Sequence, residues 1–323
     1  MIDFRAPTVG DIPRLARVLS SYRGEICDLT PANIVMWRRY YGTELAFEEL
    51  ADGTELLYLR YATDPDETPN DDLPTVASYT CPHAYHAGDE AIAERGVILH
   101  PGEVSAAIGR LISDGARAFC CLSEAECGLI SPFLPEARVW HDRDWNDYIY
   151  NAADMISLGG RHLSGQRNHI NKFKATAGQW RVEDISESNI RAAGEFCEEY
   201  YRRLEAAGEL GEALIGERDA VREVLANWQG YGQEGILLYA GERVAAMTFG
   251  EIVGGMLCVH VEKATRELPG AYPMVFHEFC LRLAGRISTV NREEDCGEEG
   301  LRRSKLSLHP TRLPPKFFLS INR

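Results

Sequence analysis

The sequence predicts a mixed α/β protein made of two units of similar build. The first observation is length: 323 residues is about two domains at roughly 100–200 residues each. The second is periodicity. Apolar stretches with a helical period alternate along the chain with short runs rich in β-branched and aromatic residues. The third is order. Each half reads as helices, a meander of strands, a helix, a strand, a helix and a strand. The join is expected within 151–160, giving units of 1–155 and 156–323.

In the first half, Thr8 or Asp11 can cap a helix that buries Ile12, Leu15, Val18 and Leu19. A second helical patch follows Thr30–Pro31 and carries Ile34, Met36 and Trp37. "ELLYLRY" (Glu55–Tyr61) and "TVASYT" read as paired strands around "TDPDETPNDDLP" (Thr63–Pro74), an acidic, proline-rich loop. Pro101 opens an amphipathic helix that stops near Gly115. "RAFCCLS" is a buried strand, "EAECGLISPFL" a short helix, and "RVWHDRDWNDYIYN" a set of strand-like segments. In the second half, helices span 186–204 and 216–232. Three strands follow over 235–264, with turns at Gly241–Glu242 and Gly254–Gly255. A helix (270–286), a strand (288–293), a helix (297–308) and a closing strand (316–322) complete it.

Composition narrows the function. The chain is 45% hydrophobic and 26% charged, which is globular. Its 49 Asp+Glu against 34 Lys+Arg give a net charge of −15, which argues against DNA as a partner and against broad binding to anionic surfaces. Nine cysteines without a CxxC pair read as reduced thiols, so a cytoplasmic protein is expected. The N-terminus lacks the pattern of a signal peptide, and no apolar run is long enough to span a membrane. Cys81, His83 and His86 lie close together but lack a fourth ligand, so no metal is expected. Phosphate-loop, serine-elbow and zinc-helix motifs are absent.

Three stretches could carry chemistry. "GGRHLSGQRNHINKFK" places Leu163, Ile170 and Phe173 on one helical stripe. Beside it, Arg167 could grip a phosphate or carboxylate, with Asn168 and Asn171 as neutral donors; the plainer reading is a solvated basic helix. "CVHVEKATRELPGAYPMVFHEF" passes from strand to helix. Backbone N–H groups at Gly270, Ala271 and Tyr272 could hold an anion there, or simply begin a capped helix. His260 and Glu262 alternate with Val259 and Val261, so they share a strand face that lines a cleft or meets water. "NREEDCGEEGLRRSKLSLHP" sets Asn291, Arg292, Glu293 and Asp295 after a strand. Arg302 and Lys305 lie on the next helix. A carboxylate here suits general-base work and an ammonium suits an oxyanion; alternatively the acidic loop is merely neutralised by the helix.

Taken in order, "DRDWNDYIYNAADMISLGGRHLSGQRNHINKFK", "VHVEKATRELPGAYPMVFHEF" and "NREEDCGEEGLRRSKLSLHP" resemble the successive blocks of a bacterial family related to the C-terminal domain of phosphatidylglycerol lysyltransferase. "CDLTPANIVMWRRYYGTELAF" is similar to its early block. The resemblance covers nearly the whole chain. It implies two tandem GNAT-like (acyl-CoA N-acyltransferase-like) domains and an aminoacyl- or acyltransferase. The co-substrate would be aminoacyl-tRNA or acyl-CoA, with no tightly bound cofactor, and the acceptor a small molecule or lipid-head-group-like amine or hydroxyl. In that setting Glu262, Glu293 or Asp295 is expected as base. Arg292 and Lys305 would steady the oxyanion or donor phosphate, and Arg167, Asn168 and Asn171 would grip donor or acceptor. His260, Gly270, Ala271, Tyr272, Asn291 and Arg302 would complete the binding surface. The competing expectation is a non-catalytic module of the same fold.

Overall fold

A computed structural model describes residues 2–22, 24–61 and 77–321; the loop expected at Thr63–Pro74 lies outside them. The chain forms two compact units, Met1–Asn146 with Pro314–Arg323, and Asp147–Leu313. Each is mixed α/β with a mixed sheet.

The first unit contains helices α1 (Ile12–Val18), α2 (Pro31–Met36), α3 (Asp89–Ile92), α4 (Pro101–Ser113) and α5 (Glu124–Ile130). Its strands are β1 (Thr43–Glu49), β2 (Glu55–Tyr61), β3 (Ser78–Tyr79), β4 (His83–Tyr85), β5 (Ala118–Leu122), β6 (Arg138–His141) and β13 (Phe317–Ser320). They run in the order β1-β2-β3-β5-β13-β6, with β4 on β2. β3 and β5 are parallel; the other neighbours are antiparallel. Leu56, Tyr58, Ile108, Leu111, Phe119 and Leu319 pack in its core. α5 starts where expected because Ser123 and Glu126 form a reciprocal capping box.

The second unit contains helices α6 (Ala152–Ser157), α7 (Ser164–Ala177), α8 (Ile190–Ala206), α9 (Glu212–Ala226), α10 (Trp228–Tyr231), α11 (Ala271–Arg282) and α12 (Glu299–Leu306). Its strands are β7 (Ile149–Asn151), β8 (Trp180–Asp184), β9 (Glu234–Ala240), β10 (Arg243–Val253), β11 (Met256–Ala264) and β12 (Thr289–Asn291), ordered β7-β12-β11-β10-β9-β8. Only the β11–β12 pair is parallel among them. Ile170 and Phe173 of α7 join Met274 and Phe279 of α11 and Leu238 and Val259 of the sheet in one apolar core.

Two expectations change. The division falls at 146/147 rather than 155/156, because β7 already pairs with β12. The closing strand, assigned by chain order to the second half, is β13 and pairs with β5 and β6 of the first unit. Strands β1 and β8 went unpredicted. In "WRVED" the alternation of Trp180 and Val182 with Arg181 and Glu183 is the strand signal that could have found β8.

Candidate functional site: a charged wedge between two parallel strands

β11 and β12 pair for only three residues, ending at Cys258 opposite Asn291. Beyond that point β11 continues to Ala264, while the other chain leaves as a loop toward α12. The two paths diverge and open a wedge. The expected shared face of His260 and Glu262 is not found: His260 is an extra residue in the pairing with β10, which breaks the alternation, so Cys258 and His260 meet Glu251 and Glu293 while Glu262 meets the α11 side chains Tyr272 and Phe276. Glu293 takes a left-handed φ of 56° as the chain leaves the sheet. The consecutive side chains Arg292 and Glu293 both reach β11, Arg292 at Glu262 and Glu293 at His260. The bulge of β11 at His260, opposite the Phe249–Gly250 step of β10, sets Glu251 opposite Cys258. It requires glycine: a Cβ on Gly250 would lie 1.9 Å from the Cys258 carbonyl oxygen.

Two buried charge clusters fill the wedge. In the first, Arg292 Nη2 donates to Glu262 Oε1 at 2.8 Å, and both side chains are only 10% exposed. The Arg292 guanidinium also lies 4.3 Å from the centre of the Phe276 ring. Burial pushes the Glu262 carboxyl above the usual carboxylate range, against the pull of Arg292 and Lys305. Among the described residues, Glu262 Oε2 is buried without a hydrogen-bond partner, as is Thr248 Oγ1, whose residue pairs with Glu262 across the sheet. In the second cluster, the fully buried His260 ring meets Glu293 Oε1 at Nδ1 (2.9 Å) and Glu251 Oε1 at Nε2 (3.0 Å). Cys258 Sγ is 3.9 Å from the same Glu293 oxygen. Burial opposes charge on His260, but Cys258, Glu251 and Glu293 outweigh it and raise its pKa well above the ordinary value. Burial pushes the Cys258 thiol up to about 12 and raises the Glu293 carboxyl.

A small cavity of about 30 Å³ meets the first cluster and is lined by Glu262, Arg292, Tyr272, Phe276, Gln166 and Ser304, among others. The Tyr272 hydroxyl lies 3.3 Å from that of Tyr200 on α8.

Several expected residues have other employment. Lys305 donates to the backbone carbonyls of Arg292 (2.5 Å), Glu293 (3.2 Å) and Glu294, so all three of its protons hold the loop. Burial and the charge of Arg292 lower its pKa. Asp295, fully buried, accepts from Tyr148, from the Gly297 N–H and from Arg302 Nε (3.0 Å) and Nη2 (2.7 Å). Asn291 bonds Asp147 and receives the Glu293 N–H. These groups brace the wedge. Arg167 donates to the carbonyls of Leu158 and Gly160, and Asn168 and Asn171 are exposed. From α7 it is Gln166 that lines the cavity, and it also donates to Ser307. No charge pattern marked it. Gly270, with φ 88°, is where α7 crosses the start of α11: a Cβ there would lie 2.1 Å from the His169 carbonyl oxygen. Ala271 is buried at this junction, and its N–H is used by Leu268.

The matching family, described as "Phosphatidylglycerol lysyltransferase, C-terminal", covers residues 98–320. A conserved protein of unknown function from Bacteroides thetaiotaomicron has a similar crystal structure, with a TM-score of 0.82 at 26% identity over 99% of both chains. A domain described as the C-terminal domain of a "putative lysylphosphatidylglycerol synthetase" from Agrobacterium fabrum is similar in fold, with a TM-score of 0.60 at 14% identity over 97% of this chain and 92% of that one. No curated protein matches the sequence. With the family spanning more than two thirds of the residues, the wedge included, this chain belongs to the phosphatidylglycerol lysyltransferase C-terminal family.

Proposed function

We propose that the protein is an aminoacyl- or acyltransferase with a tandem GNAT-like fold, and that its reaction centre is the wedge between β11 and β12. The observation that carries this is Glu262: a buried carboxyl beside a small cavity, with one oxygen bound by Arg292 and the other without a partner among the described residues. Burial raises its pKa toward neutrality, which suits a group that must take a proton from an ammonium or hydroxyl nucleophile. The nucleophile then attacks the donor's ester or thioester carbonyl, the tetrahedral intermediate collapses, and the donor's alkoxide or thiolate leaves. Arg292 holds Glu262 and sets positive charge beside the developing oxyanion. Glu293, Asp295 and Lys305 serve as bracing groups because their hydrogen bonds are already committed. Family membership supports an aminoacyl donor and a small or head-group-like acceptor.

The test uses the full chain. A thermal-shift screen against charged tRNA, acyl-CoAs and free amino acids identifies a donor, since a ligand of the native state raises its stability. Transfer of labelled acyl group is then measured for the wild type and for Glu262→Gln. A loss of at least about 100-fold is expected, the lower range for removing a general base. An unchanged rate in Glu262→Gln would sink the assignment. Stabilisation by a donor without any product would favour a binding module.

A further inference from the structure

The second charge cluster has a geometry that the transfer reaction does not call on. Cys258 Sγ, a ring nitrogen of His260 and a carboxylate oxygen of Glu293 all lie within 4.8 Å of one another. His260 Nε2 is 3.0 Å from Glu251 Oε1. As an imidazolium the ring donates to both carboxylates, and a metal that displaces the Nδ1 proton would meet Nδ1 and Glu293 Oε1, now 2.9 Å apart, while Nε2 keeps its proton on Glu251. Two acceptors at that distance need a cation between them, either a proton or a metal. The thiol of Cys258 on the same side supplies a third donor atom, which a shared proton does not require.

Two of the three donor separations lie near those of a metal site. Tetrahedral zinc with bonds of about 2.0–2.1 Å to nitrogen and oxygen and about 2.3 Å to sulfur separates N and O by about 3.3 Å and S and O by about 3.6 Å. The separations here are 2.9 Å and 3.9 Å, each within about half an ångström of those values. A carboxylate on the far nitrogen of a ligating histidine is the usual outer partner of a zinc site, fixing tautomer and ring orientation. Nitrogen, sulfur and oxygen donors together select zinc over magnesium or calcium.

We propose that Cys258, His260 and Glu293 bind a zinc ion, with Glu251 orienting His260 from behind. This departs from the expectation of no metal, which followed from the unrelated Cys81–His83–His86 stretch. The side chains of Cys258 and His260 are fully buried and that of Glu293 is 18% exposed, so the open coordination position faces Glu293's side. On binding, the Cys258 thiol gives up its proton to solvent and the thiolate becomes a ligand.

The experiment measures metal content of the full chain purified without chelator, then cobalt uptake by chelator-treated protein. Cys296, the exposed cysteine, is changed to Ser in every sample so that it cannot contribute. One zinc per chain is expected, along with a thiolate-to-cobalt charge-transfer band that Cys258→Ser abolishes. Glu251→Gln, which removes no ligand, should weaken metal affinity roughly 10–100-fold. Near-ultraviolet circular dichroism establishes that each variant is folded; if Cys258→Ser is not, Glu293→Gln takes its place and the cobalt spectrum is read there. Well-folded parent protein that contains no zinc and takes up no cobalt overturns the proposal. So does a cobalt band that survives Cys258→Ser, or an affinity unchanged by Glu251→Gln.

Discussion

The two units share an architecture and pair two of their buried carboxylates, Glu55 and Glu262, in different ways. Each has an antiparallel meander and one parallel strand pair, β3–β5 in the first and β11–β12 in the second. In the first unit β5 brings Phe119, Cys120, Cys121 and Leu122 into the core. Glu55 is buried there, but its partners Arg14 and Arg17 are 42% and 54% exposed. The cations stay in water, so these pairs cost little desolvation. In the second unit both members of a pair are buried: Glu262 with Arg292, Lys263 with Glu217, His260 with Glu251. Sealing two charges away from water is expensive unless the geometry is close to ideal. A fold that needed only stability would gain as much from apolar packing, so the second unit is where a demand other than stability shows.

The largest expected effect breaks one pair in each unit. Arg292→Met leaves Glu262 buried without its cation and should cost about 3–5 kcal/mol. Arg14→Met leaves Glu55 with Arg17 and should cost about 0–1 kcal/mol, the range for pairs with an exposed partner. Urea unfolding checks both, followed by Trp180 and Trp228 in the second unit and by Trp37, Trp140 and Trp145 in the first. Equal costs would erase the contrast between the units.

The pH dependence should differ in sign. His83 in the first unit is buried, with Nε2 unpartnered among the described residues, and burial lowers its pKa from 6.5 to about 4. Between those values the unfolded chain binds a proton that the folded chain does not. Stability is therefore complete above pH 6.5 and falls as pH drops toward 4, by roughly 3 kcal/mol in all. His83→Phe should remove that slope. Glu262 acts the other way, because its folded pKa is raised above 4.5. From pH 4.5 up to that raised value the folded chain holds the extra proton, so its contribution is present at low pH and lost as pH rises. Glu262→Gln should flatten part of the falling limb reported by Trp180 and Trp228, leaving the part due to Glu293, which is raised as well. A Glu262→Gln curve parallel to the wild type would show that its carboxyl titrates as it does in water.

Much of this contrast was legible in the residues, though not all of it. "HVEK" and "NREED" announced charge at strand ends, where Arg292 meets Glu262 and Glu293 meets His260. What each charge does was not legible, because that depends on pairings across the sheet. Glu251, nine residues earlier on another strand, becomes the partner of His260 only through the bulge opposite Gly250. Lys305, at helical spacing from Arg302, looked available for an oxyanion. The left-handed turn at Glu293 instead lays three carbonyls around its ammonium. The closing strand was expected but its sheet was not, for a related reason: nothing local in "KFFLSIN" says which sheet it joins.

The smallest effects belong to α7, whose basic stretch was the most conspicuous charge feature of the sequence. Arg167 satisfies the carbonyls of Leu158 and Gly160, near the residue (Leu158) that ends α6 in a left-handed conformation. Arg167→Gln should cost about 1–2 kcal/mol, the value of hydrogen bonds from a charged donor at a partly buried site. Asn168→Ala and Asn171→Ala touch only exposed side chains and should stay within about 0.5 kcal/mol. Unfolding curves on the three variants rank them. The same variants carry a sharper reading in the transfer assay. A rate lost in Asn168→Ala or Asn171→Ala at unchanged stability would mean that this exposed face grips a substrate, and the second unit would then act through its surface as well as its buried wedge. Rates that follow stability alone leave Gln166 as the residue of α7 that meets the cavity, with the basic face serving as a solvated exterior.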